Sequence, residues 1–439
     1  MSDTHSETSV AFVRQTMLPQ AEPPVAERGA VKWVRENLLS SWLNVILTVL
    51  SLYVVWVVVA SLFPWLANSV WDAESLTGCR EVLAERGLTS HDGACFAVIT
   101  DRWQQLLFGF YPRDLYWRPV LALVVFFIAI APVLFPNLPR KMLWFSLAAP
   151  FICFWLIWGG SIWLPISIAV GFGLGALALR FVGGTLGPLA GAIAAALVPV
   201  LYWLFLAGTV ARELQALIPL AIQVVESREL GGFMLSIIIG LSGIILSLPL
   251  GILLALGRRS DLFLISKVCI AFIEVIRGVP LIVWLFTAQL ILGYFLPPGT
   301  VFDLTLRVII MVTLFSSAYI AEVVRGGLAA LPKGQYEGAD SLGLNYWQAQ
   351  RLVIMPQALK ISIPGIVSTF IGVFKDTTLV SIIGLLDPLG LSNAIRADAN
   401  WNGVVWELYG FIALMFFVFC FGMSRYSMYL ERKLHTGHR

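Results

Sequence analysis

Three apolar runs of this sequence carry charged side chains, and these are the residues whose types and spacing allow chemistry. In GVFKDTTLVSIIG, residues 372–384, Lys375 and Asp376 are neighbours and are followed by Thr377 and Thr378. Adjacent helical residues project about 100° apart, so this pair does not close on itself and each charge needs a partner elsewhere. An ammonium, a carboxylate and two hydroxyls in succession suit the two charges of an amino acid, and equally suit a polar patch joining helices. In KVCIAFIEVIRGVPLIVWLFTAQLIL, residues 267–292, Glu274 and Arg277 lie three apart on one helix face, where they can neutralise one another. Gly278 and Pro280 follow at once and break the helix where backbone groups can be freed for a ligand. A charge in hydrocarbon costs at least about 2.5–3.5 kcal/mol on insertion scales, so such residues face a bundle interior or a cavity. Both a ligand contact and a packing pair fit Glu274 and Arg277. In SSAYIAEVVRGGLAALPKG, residues 316–334, Glu322 and Arg325 repeat the spacing close to the end of an apolar run, where anchoring fits better than ligand contact.

Other chemistries are excluded by what the sequence lacks. No G-x4-G-K-[ST] occurs, so the chain does not cradle ATP phosphates by that route. His5, His91, His435 and His438 are scattered and no Cys/His spacing suggests a metal. No Ser–His–Asp arrangement emerges, and enzyme chemistry is not expected. A net charge of +3 without a long basic run gives no purchase on nucleic acid.

The elements that must position these residues are membrane spans. The 439 residues are 59% hydrophobic and only 13% charged, against about 25% charged in a soluble protein. Scanning for roughly 20 apolar residues predicts about ten helices, at 43–62, 119–135, 142–159, 162–180, 187–208, 232–256, 267–295, 304–324, 362–383 and 405–429. The runs are long and do not alternate, so the chain is expected to be an all-α polytopic membrane protein rather than a barrel. Residues 1–41 read as a disordered leader. With both termini in the cytoplasm, Arg140, Lys141, Arg180, Arg258, Arg259, Lys333, Arg351, Arg432 and Lys433 all fall inside, as the positive-inside rule asks. The long outer loop at 63–118 holds Cys79 and Cys95, which either bridge or remain free thiols, and its aromatics suggest a folded cap or an interfacial belt. Gly171, Gly173, Gly175 and Ala176 suit close helix packing. Residues 211–231 read as an amphipathic helix on the outer surface, with Leu214, Leu217, Ile218, Ala221 and Val225 on its apolar face.

One polar island interrupts the second half, EGADSLGLNYWQAQRLVIMP at 337–356. Gly343 is placed to end a short helix, Asn345 to cap the next with Gln348 reaching back, and Pro356 to limit how far that helix continues. Two short helices around a glycine corner read as a docking element for another protein. Glu337, Gly338, Ala339, Gly343, Val353, Met355 and Pro356 stand where ABC importer permeases carry EAA-x3-G-x9-I-x-L-P, with Gly338, Val353 and Met355 as substitutions. The chain therefore resembles type I permeases of polar amino acid importers, the family that transports His, Glu, Gln or Arg. The run ending in Pro280 is similar to that family's VELFRGTPLL, 316–334 to its SAYIAEIVRGG lead, and 375–379 to its KDTSL, with Thr378 departing. The five extra spans and the large loop at 63–118 resemble the longer permease subunit of general L-amino acid importers.

That resemblance implies a five-helix permease domain at 232–430, with the coupling loop 326–361 inside it and extra spans at 42–210. It also implies a bacterial inner-membrane location, ATP and Mg bound by cytoplasmic ABC ATPase subunits rather than by this chain, a second permease subunit, and a periplasmic amino acid binding protein. Lys375, Asp376, Thr377, Thr378, Glu274 and Arg277 are then the substrate-pathway candidates. An ion-coupled secondary transporter is the other reading, in which the 375–378 cluster would hold the coupling ion.

Overall fold

The computed structural model describes residues 29–135, 137–291 and 303–434. Eight of the described helices are long and apolar enough to cross a bilayer, and two bent pairs bring the total to as many as ten. Each of the ten expected spans coincides with one of these. The end of the seventh, 292–295, lies outside the described residues, as do residues 1–28 and 435–439, which include His5, His435 and His438.

The described chain divides into two compact units. The first contains the chain up to Ser69 together with Leu83–Ala94. Its first helix, α1 (Gly29–Asn37), falls in the last part of the expected disordered leader of 1–41, where the chain is helical instead. Val31, Trp33 and Val34 provide apolar positions, and Lys32 pairs with Glu36 one turn on at 3.8 Å. The span α2 (Trp42–Ala67) starts at Ser41, whose hydroxyl accepts the Asn44 N–H at 3.2 Å. Its far end is tied to the 83–94 segment by an Ala94 N–H to Trp65 O bond of 3.0 Å.

The second unit contains Val70–Val82 and everything from Cys95 onward. The helix α3 (Leu76–Glu85) begins in the first of these pieces, and α4 (Ala97–Phe108) lies at the start of the second. Cys79 and Cys95 are disulfide-bonded, with their Cα atoms 5.8 Å apart. The spans α5 (Trp117–Leu134), α6 (Leu143–Trp158), α7 (Trp163–Leu186) and α8 (Pro188–Phe205) follow, with α9 (Ala207–Leu217) bent 54° from α8. Of the four small residues expected to pack, Gly171 meets Trp203 and Gly175 meets Pro199, whereas Gly173 and Ala176 are exposed. The amphipathic helix expected over 211–231 is cut short. Pro219 disfavours helical backbone at Ile218, so α9 ends at Leu217 and the chain continues extended. Two residues of it, β2 (Ala221–Ile222), pair antiparallel with β1 (Gly160–Ser161) in the register Gly160 to Ile222.

The permease-like half begins with α10 (Gly232–Arg258), followed by α11 (Phe263–Gly278) and α12 (Leu281–Phe286). The Gly278–Pro280 break bends the α11–α12 run by 102°. Arg307 Nη1 donates to the carbonyls of Ala288 and Gln289 at 3.3 and 3.2 Å, and the Gln289 amide donates to Ile383 O at 2.9 Å, fixing the second limb. Then come α13 (Leu304–Ala329), α14 (Lys333–Ser341), α15 (Tyr346–Ala349), α16 (Met355–Asp376), α17 (Pro388–Arg396) and α18 (Trp406–Leu434). Small residues let α13 lie close to its neighbours: Gly251 of α10 abuts Ile320, and Gly327 faces Ala358 and Ser362 of α16.

Within this unit, residues 70–82 and 95–118 form a folded cap seated on this half. Glu407, in the first turn of α18 and buried, accepts the Cys95 N–H at 2.9 Å. Asp101 accepts the indole N–H of the fully buried Trp401 at 2.9 Å, Arg102 pairs with Asp398 at 2.9 Å, and Leu76 N–H donates to Asn400 O at 2.8 Å. The loop's aromatics divide between the cap's interior and its surface. Tyr111 is buried and donates its hydroxyl to Ile157 O at 2.8 Å, while Trp71, Trp103, Phe110 and Trp117 are exposed.

Candidate coupling element and polar pathway

The polar island folds into the corner its sequence suggests. After α14 the chain turns at Gly343, whose φ of +68° is left-handed backbone that only glycine adopts without strain. The Gly343 N–H donates to Asp340 O at 2.9 Å and the Leu344 N–H to Ala339 O at 3.3 Å, closing the helix end. Asn345 Oδ1 accepts the Gln348 N–H at 2.9 Å and Gln348 Oε1 accepts the Asn345 N–H at 3.0 Å. Pro356 does not act as expected. It sits in the first turn of α16, and a π-helical turn at Gln350–Ile354 carries the chain into that helix without a stop. The widened turn accommodates the ring that a regular helix interior would reject.

This element has an inner and an outer face. Ile354, Met355 and Ala358 are buried in one cluster with Leu328 and Leu331, with Val353 and Tyr336 packed alongside, and Ala339 is also buried. Glu337, Gly338, Gly343 and Pro356 are exposed. So are Leu342, Tyr346, Trp347 and Leu352, which motif reasoning overlooked; Trp347 is 67% exposed. Their signal was available, since large apolar residues within a polar island have no reason to be there unless something covers them. A cavity of about 420 Å³ lies beside α14, between Arg259, Tyr336, Glu337 and Asp340.

Two of the three membrane carboxylates, Glu274 and Glu322, gather into one cluster. Glu322 is 15% exposed and takes Arg258 at 2.7 Å, Arg325 at 2.8 Å and Arg277 at 3.7 Å. Arg258 also reaches Glu274, at 3.0 Å, and the Arg277 guanidinium lies 5.3 Å from the centre of the Tyr319 ring. The expected mutual neutralisation of Glu274 and Arg277 is thus replaced by bonds to other helices. Each side chain has a stronger partner across the packed α10–α11–α13 junction. Arg258, read from the sequence only as an orientation signal, is the residue that joins the pairs.

Lys375 and Asp376 stand apart from this cluster, at the end of α16, about 30–32 Å along the helix from Met355 at its usual rise. The six pathway candidates therefore form two groups. Lys375 is exposed and Asp376 half-buried, and neither makes an ion pair within 4.0 Å among the described residues. Beyond them the helix tightens into a 3-10 turn, Thr377–Ile383. The Thr377 hydroxyl donates to Phe374 O at 2.8 Å and that of Thr378 to Lys375 O at 2.9 Å. Both hydroxyl protons are already engaged, so only the oxygens are left to accept, and Thr377 is buried. Asp387, buried further on, caps α17 by accepting the Gly390 N–H at 2.9 Å and the Leu389 N–H at 3.2 Å. Burial pushes its carboxyl up to about 6.

Residues 247–436 match the family described as binding-protein-dependent transport system inner membrane component. Over its whole length the chain is 56% identical to the glutamate/glutamine/aspartate/asparagine transport system permease protein BztC of Rhodobacter capsulatus, with 100% of both chains covered. The chain belongs to the inner-membrane permeases of binding-protein-dependent ABC transport systems. This permease is also 39% identical to the inner membrane amino-acid ABC transporter permease protein YhdY of Escherichia coli, across 93% of its own length and 94% of the relative's. A solved amino acid ABC transporter is 31% identical to it with a TM-score of 0.41, covering 46% of the permease and 91% of that chain.

Proposed function

We propose that this permease carries L-amino acids inward through the bacterial inner membrane, driven by ATP that a separate ATPase hydrolyses. The observation that carries the cargo class is the full-length identity of 56% to a relative named for glutamate, glutamine, aspartate and asparagine transport. Both termini face the cytoplasm in this reading, and a binding protein delivers cargo from the periplasm. A second permease subunit completes the gate. ATP and Mg bind to the ATPase, which grips the corner at 337–356, with Leu342, Tyr346 and Trp347 as the apolar contact. Closure of the ATPase moves α14 and, through the Leu328–Ala358 packing, the inner ends of α13 and α16. Lys375 meets the cargo's carboxylate and Asp376 its ammonium, as their charges dictate.

The test is purification of tagged chain from native membranes followed by uptake in vesicles. An ATPase should co-purify with the native chain and be lost on Trp347→Ala, and ATP inside the vesicles should drive uptake of radiolabelled glutamine. Uptake by the chain alone on an ion gradient would overturn the reading.

A further inference from the structure

The outer cap contains a cavity of about 390 Å³ between α4 and the Gly109–Tyr116 segment, well removed in sequence from the 375–378 cluster. Its volume is in the range of small-molecule sites. Arg102 in its wall is committed, bonded to Asp101 at 2.8 Å and Asp398 at 2.9 Å. Asp101 receives both Arg102 and Trp401 on Oδ2, which leaves Oδ1 without a hydrogen bond among the described residues. Arg113, also in the wall, makes no ion pair there, and the Gln104 amide makes no hydrogen bond. Tyr111 of the same wall donates its hydroxyl to Ile157 O at 2.8 Å and lies within electrostatic reach of Arg118. Arg118 is 3% exposed, has no carboxylate partner among the described residues, and leaves its Nε unbonded. One polar cavity thus presents an uncommitted guanidinium, an open carboxylate oxygen and a free amide, under the positive field of a buried arginine.

Unspent charges of both signs across one cavity match a ligand that carries both. We propose that this cavity binds a compact zwitterion, with an anionic group and an ammonium a few ångströms apart, as in a free α-amino acid or the phosphoethanolamine headgroup of a lipid. Arg113 holds the anion through its planar fork, Asp101 Oδ1 takes the ammonium, and Gln104 adds an amide bond. Phe110 covers the ligand's carbon stem. A bound zwitterion bridges α4 to the 109–116 segment, and α4 is the helix that Asp101 and Arg102 fasten to the α17–α18 connection. Occupancy therefore braces the cap against the permease half. The site does not depend on which cargo the permease moves.

The test uses the full-length chain with its co-purifying subunits, in nanodiscs. L-Glutamine is titrated calorimetrically in phosphatidylcholine discs, and retained phosphatidylethanolamine is measured by native mass spectrometry in mixed discs. Saturable glutamine binding identifies the free amino acid as the source, and selective retention of the ethanolamine lipid identifies the headgroup. Both probes are read in an Asp376→Asn background, which removes the cargo site proposed above; there Arg113→Ala should weaken binding by about tenfold or more, and Arg113→Lys should restore part of it. Arg113 is exposed, so its loss should not unfold the chain. Binding of neither probe, or binding indifferent to Arg113→Ala, would overturn the proposal.

Discussion

Glu322 is the side chain on which three guanidiniums converge, and Glu322→Gln keeps its shape while removing its charge. At an effective dielectric constant of about 20, each contact at 2.7–3.7 Å is worth roughly 4–6 kcal/mol before desolvation. Stripping one partner from a buried pair costs about 3–5 kcal/mol net. Here Arg258 and Arg325 remain 22% and 44% exposed, so water recovers part of that loss and about 2–3 kcal/mol is the expected cost. At roughly 2–4 °C per kcal/mol, the melting temperature should fall by about 4–12 °C. A cluster made in only one gate position would shift the ratio of positions by roughly 30- to 150-fold. The assay compares ATP hydrolysis with uptake in the reconstituted complex, beside a thermal melt. We expect uptake to fall at least about tenfold while hydrolysis persists. Native uptake and an unchanged melt in Glu322→Gln would refute the claim that the cluster bears on the gate.

Further outcomes can be checked in the same system. Gly343→Val forces a β-branched residue into left-handed backbone, costing about 1–3 kcal/mol at the corner; hydrolysis should continue with little uptake, and membrane insertion should be normal by fractionation. Asp376→Asn should raise the KM for uptake while subunits still co-purify, and unchanged kinetics would remove it from the pathway. Asp387 gives a pH signature: its folded value of about 6 lies above the ordinary 3.8, so the fold prefers the protonated acid. Stability should therefore rise as pH falls from 7 through 6, by at most roughly 3 kcal/mol, and stop rising below the ordinary value. Melts of Asp387→Asn should lose that slope and exceed the native protein near pH 7.

What could be read from the sequence was local. The Asn345–Gln348 box, the glycine corner and the Gly278–Pro280 break depend on residues a few positions apart, and each is found where its chemistry requires. The errors came from context. Pro356 stops a regular helix but not one that widens just before it, and Pro219 was overlooked within an attractive apolar pattern. Glu274 and Arg277 were paired by proximity along one helix, although their partners lie on α10 and α13. The Glu407–Cys95 bond joins residues 312 positions apart, a distance over which spacing carries no information.

That bond and its neighbours make the two halves of the chain inseparable in practice. Trp401 and Glu407 belong to the permease half, yet both are covered by residues that precede it. A minimal gate cut at Gly232 would expose the indole and orphan the carboxylate. Grafts between permeases of different length should therefore transplant residues 70–82 and 95–118 along with the α17–α18 turn, because those stretches share a single interior.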